Sequence, residues 1–133
     1  MNTKTFKDVL VNASGQAVVV TGRTPEFIDG RPLSGEASAT ELRPGVWWVN
    51  RVLIQPPSVR GQGLGGHLLD TLIKHLTEQE HFKRLFVQPG GYNLPVGRQR
   101  KFYRRHGFKP VRATPGVLRW TKKGMKDAKA SLG

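Results

Sequence analysis

The sequence predicts one α/β domain built on a mixed sheet, and three observations carry this prediction. An apolar run at 46–54, rich in β-branched and aromatic residues, precedes a glycine-rich turn and an amphipathic helix. A shorter strand and a second helix occupy 84–106, and a hairpin follows at 108–122. A chain of 133 residues supports one hydrophobic core rather than two. We therefore expect a single domain at 1–123 and a basic, weakly helical tail that frays at 124–133.

The N-terminal third predicts short strands separated by a loop. Residues 8–21 form two apolar runs around a turn at 13–16, which indicates a hairpin. Residues 22–35 contain three glycines and two prolines without helical periodicity, so they predict a loop. Residues 36–42 predict another strand, and the turn 43–45 then leads the chain into the central strand at 46–55.

The turn after the central strand predicts an anion site. Its sequence is Arg-Gly-Gln-Gly-Leu-Gly-Gly at 60–66, and a helix is predicted from there to about residue 81. Backbone N–H groups converge at a helix start, where the dipole also favours negative charge. Glycine matters there because a Cβ would keep a phosphate away from the amides. The apolar residues of the helix recur at steps of three and four and share one face: Leu64, Leu68, Leu69, Leu72, Ile73 and Leu76.

Three kinds of phosphate site use a turn of this sort. The Walker pattern requires Gly-Lys-Ser/Thr, which is absent. The dinucleotide pattern G-x-G-x-x-G is matched at 61–66, but it predicts an acid after the next strand, and 84–88 ends without one. The third pattern, Arg/Gln-x-x-Gly-x-Gly/Ala, is matched by Arg60, Gly63 and Gly65. The third pattern therefore fits best.

With a second motif, this turn resembles the GNAT superfamily of N-acetyltransferases. Residues 102–108, Phe-Tyr-Arg-Arg-His-Gly-Phe, resemble the F-Y-x-x-x-G-F that ends a helix in that family. The two motifs stand in the family's order with one predicted strand between them, and the resemblance covers about 46–120. It implies the GNAT-like acyl-CoA N-acyltransferase fold, an N-acetyltransferase-like domain at 1–123, and acetyl-CoA (coenzyme A) as the cofactor.

The resemblance also implies which residues form the site. The arm of the cofactor would lie beside the backbone at the end of the central strand, and its pyrophosphate would meet the glycine-rich turn. Tyr103 occupies the position of the tyrosine that protonates the departing thiolate, and Asn93 could replace a family asparagine whose position here is Val96. The implied cofactor-binding residues are Leu53, Ile54, Gln55, Arg60, Gly61, Gln62, Gly63, Leu64, Gly65 and Asn93.

Two features depart from the family. The central strand lacks the glutamate that often acts as general base, which leaves Glu36, Glu41 or a water chain as candidates. Members usually place two helices between their first two strands, and this sequence has no room for two full helices there. We therefore expect a shortened N-terminal half and an acceptor side that is more open than usual.

Charge indicates the kind of partner. Lys and Arg number 22 against 9 Asp and Glu, giving a net charge of +13. An excess of this size favours an acidic protein or nucleic-acid partner, although a solvated basic surface is as good an explanation. Arg98, Lys101 and Arg105 form one basic stripe, which could bind cofactor phosphates, guide an acidic substrate or face water. Trp47, Trp48 and Trp120 are predicted to pack in the core and on the sheet face, with stacking on a base as the alternative.

The resemblance implies an N-acetyltransferase, and the composition favours a cytoplasmic one. No apolar run reaches the length of a membrane span, and the absence of cysteine excludes disulfides and thiolate chemistry. The four histidines are scattered, which indicates exposed helix residues rather than a metal site. We expect the acceptor to be an amine, and the sequence favours a macromolecule over a small metabolite as its carrier. The alternative is a non-catalytic binding or inhibitor protein on the same fold. The sequence does not indicate an oligomeric state.

Overall fold

The computed structural model describes residues 6–28, 31–55, 63–90 and 95–132, without the side chains of 25–28, 31–32 and 129–132. Within this part of the chain, seven strands form one sheet and three helices pack on it. In chain order, the elements are β1 (Asp8–Ser14), β2 (Ala17–Ile28), β3 (Arg31–Arg43), β4 (Val46–Gln55), α1 (Leu64–Thr77), β5 (Arg84–Val87), α2 (Val96–Arg105), β6 (Phe108–Pro110), β7 (Leu118–Trp120) and α3 (Lys122–Leu132). None of these helices is long and apolar enough to cross a bilayer.

The sheet is mixed, as the sequence predicts. Its strands lie in the order β1-β2-β3-β4-β5-β7-β6, and only β4 and β5 are parallel neighbours. A parallel pair needs a crossover, and α1 supplies it. The predicted order of strand, helix, strand, helix and hairpin from residue 46 onward is confirmed.

The prediction of a loop at 22–35 is wrong. Most of this segment continues β2 and β3, which pair from Gly22↔Gly35 and Thr24↔Leu33 onward. The glycines here provide space rather than turns. A Cβ on Gly22 would lie 2.4 Å from the ring of Phe6, and one on Gly35 would lie 2.8 Å from a methyl group of Leu68. Glycine in a strand often marks such a close approach.

The core lies on one face of the sheet, between the strands and α1. All six apolar residues that were predicted to share a face of α1 are buried, and α1 packs against β2, β3 and β4. Helices α2 and α3 pack against each other and against β6, near the other end of the sheet. We call the opposite face, which no described helix covers, the open face; its residues include Thr21, Glu36, Thr40, Trp48, Leu53, Phe86 and Arg119.

The N-terminal half is short, as predicted. Ser14 pairs with Ala17, so only Gly15 and Gln16 join β1 to β2, and no helix lies between them. The turn is two residues tighter than the predicted loop at 13–16. Gly15 has a φ of 58°, which suits glycine at a tight hairpin turn.

The C-terminal segment contains a third helix, and the start of this helix packs on the rest of the chain. Helix α3 begins at Lys122 and therefore spans the predicted boundary at residue 123. Gly124 is buried because α3 lies directly on the backbone of Gly107: a Cβ at residue 124 would lie 2.4 Å from the Gly107 carbonyl oxygen. Met125 packs against the hydrophobic core. The first turn of α3 is thus part of the packed structure.

Candidate functional site

A cleft opens where β4 and β5 separate. The two strands pair only from Val46↔Arg84 to Trp48↔Phe86. Immediately afterwards β4 contains a bulge: Val49 pairs with Ala39 and Arg51 with Ser38, so Asn50 is an extra residue. The side chain of Asn50 donates to Oγ1 of Thr40 at 2.8 Å. A bulge bends its strand, and here it coincides with the end of the β4–β5 ladder.

The cleft has a volume of about 1140 Å³ and is formed by four elements. They are residues 50–54 of β4, the start of α1, the chain at 87–90 after β5, and one side of α2. Five consecutive residues of β4 line it although successive strand residues point to opposite faces, so the cleft follows the free edge of this strand. This edge borders both the helix-covered face and the open face.

The start of α1 presents backbone amides to the cleft. Gly63 precedes the helix with a φ of 87°, in the left-handed region that favours glycine. It has no side chain to cap the helix, and the first turn contains no acidic residue. Gly65 also lines the cleft, and a Cβ there would approach Val52 to 3.3 Å. This arrangement is suited to binding an anion.

A histidine–aspartate pair joins α1 to the end of α2. Nδ1 of His106 lies 2.8 Å from Oδ1 of Asp70, and both residues line the cleft. The imidazole sits over Gly66, where a Cβ would lie 2.8 Å from its Cε1 atom. Glycine at residue 66 therefore allows the histidine to lie against the helix.

Tyr103 is held rigidly at the cleft. It is 5% exposed and lines the cleft from α2. Its ring packs edge-on against Phe102, at 5.2 Å between centroids, and against Phe108, at 5.5 Å. Such contacts fix the ring and leave the hydroxyl group as its polar end.

The predicted basic stripe faces the cleft. Arg98, Lys101 and Arg105 are all exposed and all line it, whereas their neighbours Arg100 and Arg104 do not. Gln99, on the same helix, accepts a hydrogen bond from the N–H of Gly90 at 2.9 Å. This bond ties the chain after β5 to α2 and helps to define the cleft.

Comparison with known proteins identifies the fold. The family model of the acetyltransferase (GNAT) domain matches residues 14–110. The chain belongs to the GNAT acetyltransferase family. No curated protein matches it. As a member of this family, the GNAT chain is an acetyl-CoA-dependent N-acetyltransferase.

Solved structures share this GNAT fold at low sequence identity. The aminoglycoside acetyltransferase AAC(6')-Ib with coenzyme A is 20% identical, with a TM-score of 0.60 over 86% of this chain and 71% of that one. A Klebsiella pneumoniae protein described as an acyl-CoA N-acyltransferase is 22% identical, with a TM-score of 0.56 over 78% and 70%. A chain in the structure of the KacTA–DNA complex is 19% identical, with a TM-score of 0.61 over 90% of this chain and 76% of that one. At these identities, the likeness shows the fold alone.

The GNAT cleft brings together five of the predicted site residues. Leu53, Ile54, Gly63, Gly65 and Tyr103 all line it. The side chain of Leu64 is in the core, and Leu64 is not among the residues that line the cleft. Gln55 ends β4 one residue beyond the last lining residue, Ile54. The other predicted residues, Arg60, Gly61, Gln62 and Asn93, lie outside the described part of the chain.

The two candidate general bases have different positions in the GNAT structure. The Glu41 carboxylate accepts the N–H of Gly45 at 3.0 Å and stabilises the turn between β3 and β4. The Glu36 carboxylate accepts a hydrogen bond from Nε of Arg51, which lines the cleft. Glu36 is therefore the nearer of the two to the cleft.

The described residues fit acetyl-CoA. The start of α1 offers uncapped amides for phosphate, the Arg98–Lys101–Arg105 stripe offers cations, and the cleft runs along the edge of β4 that β5 has left. A side chain at Gly65 would crowd this space. The GNAT cofactor supplies an acetyl thioester to such a cleft.

Sequence analysis missed the pair of Asp70 and His106. The two residues are 36 positions apart, and neither periodicity nor a motif relates them. His106 stands at a variable position of the second motif, so the motif does not specify it. His67 also lines the cleft and is half-buried, although the sequence indicates an exposed helix residue. The one available signal was Gly66, a glycine inside a helix, which often marks close packing.

Proposed function

We propose that the chain transfers the acetyl group to an amine carried by a macromolecule. The observation that supports this most is that the cleft lies along the edge of β4 that β5 has left, beside a face of the sheet that no described helix covers. No helix follows β1 to cover that face, since β1 and β2 are joined by two residues. A large acceptor could therefore approach the cleft without moving any described element.

The proposed roles of the residues follow from their positions. The amides at the start of α1, from Gly63 to Gly65, bind the pyrophosphate, together with the predicted turn residues Arg60, Gly61 and Gln62. The backbone of Leu53, Ile54 and Gln55 lies beside the cofactor arm, and Asn93 supports it. Tyr103 donates its hydroxyl proton to the departing thiolate, because a phenol with an ordinary pKa near 10 is protonated at neutral pH.

The acceptor amine must lose a proton before it can attack. A lysine amine with a pKa near 10.4 is only about 0.04% neutral at pH 7, so deprotonation needs a route. Of the two candidate carboxylates, Glu36 is the one connected to the cleft, because it accepts a hydrogen bond from Arg51, which lines the cleft. We propose that Glu36 takes this proton through a water molecule.

A non-catalytic binding role is the second candidate. The net charge of +13 and the absence of a central-strand glutamate favour it. The KacTA–DNA complex shows that a protein of this fold occurs in an assembly with DNA. In this case the chain would act by binding a nucleic acid or protein partner.

One experiment separates the candidates. The purified chain is incubated with acetyl-CoA labelled in its acetyl group and, in separate reactions, with RNA, a protein mixture or kanamycin, the aminoglycoside present in one solved structure of AAC(6')-Ib. Thiol release and label in the macromolecular fraction are measured, and calorimetry measures binding of acetyl-CoA. Label on RNA or protein is expected. Label on kanamycin alone would exclude the macromolecular acceptor, and cofactor binding without any thiol release would favour the non-catalytic role.

A further inference from the structure

A row of three side chains crosses the open face next to the cleft. Trp48 of β4 pairs in register with Phe86 of β5, which pairs with Arg119 of β7. Residues in register on adjacent strands project from the same face, about 5 Å apart. The rings of Trp48 and Phe86 stack, with centroids 5.2 Å apart and planes 27° from parallel. Both rings are only partly buried.

The stacked rings border a cavity separate from the cleft. Its volume is about 340 Å³, and the segment between β6 and β7 forms one wall. Leu42, Val46 and Val117 provide further apolar lining, and Arg43 is the one charged residue among the described residues that line it. An aromatic pair beside a small apolar cavity provides a surface on which a flat ring can stack.

Four arginines lie at this cavity or next to residues that line it. Arg84 lies two residues from Phe86 on the same face of β5, and Arg119 is the next member of the row. Both are exposed, and neither forms an ion pair with any residue that the structure describes. Arg43, which lines the cavity, and Arg112, which follows the lining residue Val111, are also exposed. The surface therefore combines stacking rings with the positive charge of Arg84 and Arg119, which no described carboxylate neutralises.

We propose that this surface binds a single-stranded nucleic acid. A base stacks beside Trp48 and Phe86, and flanking phosphates contact Arg84 and Arg119. Aromatic rings interleaved with cations are the features by which proteins hold single strands without reading their sequence. An acidic peptide would use the arginines but would gain little from the rings.

The proposed strand would lie beside the mouth of the cleft. Trp48 is two residues before Asn50, which lines the cleft at the bulge of β4. This inference deepens the proposed function by naming a class of macromolecular partner, and it rests on that function only for the acetyl transfer itself. Its test measures binding without acetyl-CoA, so the two can fail separately.

The test compares two double variants that each remove two positive charges. Arg84→Gln/Arg119→Gln changes the proposed surface, whereas Arg100→Gln/Arg104→Gln changes exposed residues of α2 that line neither cavity. Binding of fluorescent oligo-U, oligo-dT, a DNA duplex and polyglutamate is measured from 50 to 200 mM salt. We expect the first variant to lower the log–log salt slope for the single strands by about 0.7 for each arginine, and the second to change it much less.

A third variant tests stacking. Trp48→Leu should weaken binding of oligo-U and oligo-dT at least fivefold without changing the salt slope, because it removes a ring and no charge. Circular dichroism checks that the Trp48→Leu variant folds. If it does not fold, the two double arginine variants decide whether the surface binds single strands. Equal losses in both double variants would overturn the proposal, as would no binding at 50 mM salt. Equal or tighter binding of polyglutamate or duplex DNA would also overturn it, in favour of an acidic protein or a double helix.

Discussion

Nδ1 of His106 lies 2.8 Å from Oδ1 of Asp70, so the end of α2 is tied to the second turn of α1 directly beside the cleft. The ring of Phe102, one turn earlier in α2, packs against this imidazole with 5.1 Å between centroids. Gly66 lies beneath the imidazole and leaves room for it. The spacing of α1 and α2 beside the cleft therefore depends on the side chains of Asp70, His106 and Phe102. It also depends on residue 66 being a glycine.

Replacing Gly66 with alanine should have different effects on stability in two backgrounds. Alanine is about 1 kcal/mol better than glycine inside a helix, but here its Cβ would meet the His106 ring at 2.8 Å. We expect Gly66→Ala to stabilise the His106→Ala variant by about 1 kcal/mol and to bring no such gain in the native chain. Chemical denaturation of the four proteins measures this. The same change in both backgrounds would mean that the ring moves aside freely.

The glycine-rich turn should be sensitive to any side chain. Gly63→Val forces a branched residue into a φ of 87°, and Gly65→Val places atoms within 3.3 Å of Val52 in the cleft. We expect each to weaken binding of coenzyme A at least tenfold, about 1.4 kcal/mol, because the amides become inaccessible. Calorimetry on variants that circular dichroism shows to be folded measures the effect. Unchanged affinity would show that the glycines serve only the backbone.

Tyr103→Phe should separate chemistry from packing. The change keeps the ring that packs on Phe102 and Phe108 and removes only the hydroxyl group. If that hydroxyl is the proton donor, kcat should fall by roughly 10²–10⁴, with little change in cofactor affinity. A purely structural hydroxyl would instead leave kcat intact and cost at most about 1 kcal/mol of stability. Steady-state kinetics and thermal unfolding together decide between these results.

The two sides of α2 should differ in their effect on the cofactor. Arg98→Gln/Lys101→Gln removes two cations that line the cleft, whereas Arg100→Gln/Arg104→Gln removes two that do not. We expect the first variant to raise the KM for acetyl-CoA several-fold and to reduce its dependence on salt, since fewer phosphate contacts remain. The second variant is the matched control. Equal effects on KM would indicate that net charge alone attracts the cofactor.

Residues 124–133 should contribute to stability. Met125 packs on the core, and Gly124 lies against Gly107 in a contact that leaves no room for a side chain. Removing the segment after Lys123 should therefore lower the free energy of unfolding by about 1–2 kcal/mol. Met125→Ala should reproduce part of this loss, and Lys126→Ala, at an exposed neighbour, should not. Unchanged melting of the truncated chain would support the domain boundary predicted at residue 123.

Much of the fold from residue 46 onward could be predicted because its signals are local. The apolar periodicity of α1 and the run of β4 specify a helix and a strand without reference to the rest of the chain. The segment 22–35 could not be predicted, because Gly22 and Gly35 resemble loop residues until Leu68 and Phe6 are known to lie on them. Their role is tertiary, and sequence periodicity carries no tertiary information.

The same distinction applies to the site. Tyr103 and the glycines of the turn belong to contiguous motifs, so their neighbourhood could be predicted, whereas their chemical roles remain predictions. The contact of Asp70 with His106 arises only when two helices meet. The stacking of Trp48 on Phe86 at the open face depends likewise on the register of β4 and β5, which no local pattern specifies.

The short β4–β5 ladder, limited to Val46–Trp48, has a consequence for how the molecule unfolds. Strands β1–β4 form a long antiparallel meander with α1 on it, whereas the C-terminal elements join it through this short ladder, the His106–Asp70 contact and side chains of the common core. A domain joined in this way should contain two cooperative units, of which the C-terminal one opens first. Since the cleft lies across the junction, a molecule bound in it would bridge both units, and occupancy would protect the amide hydrogens of the C-terminal unit from exchange.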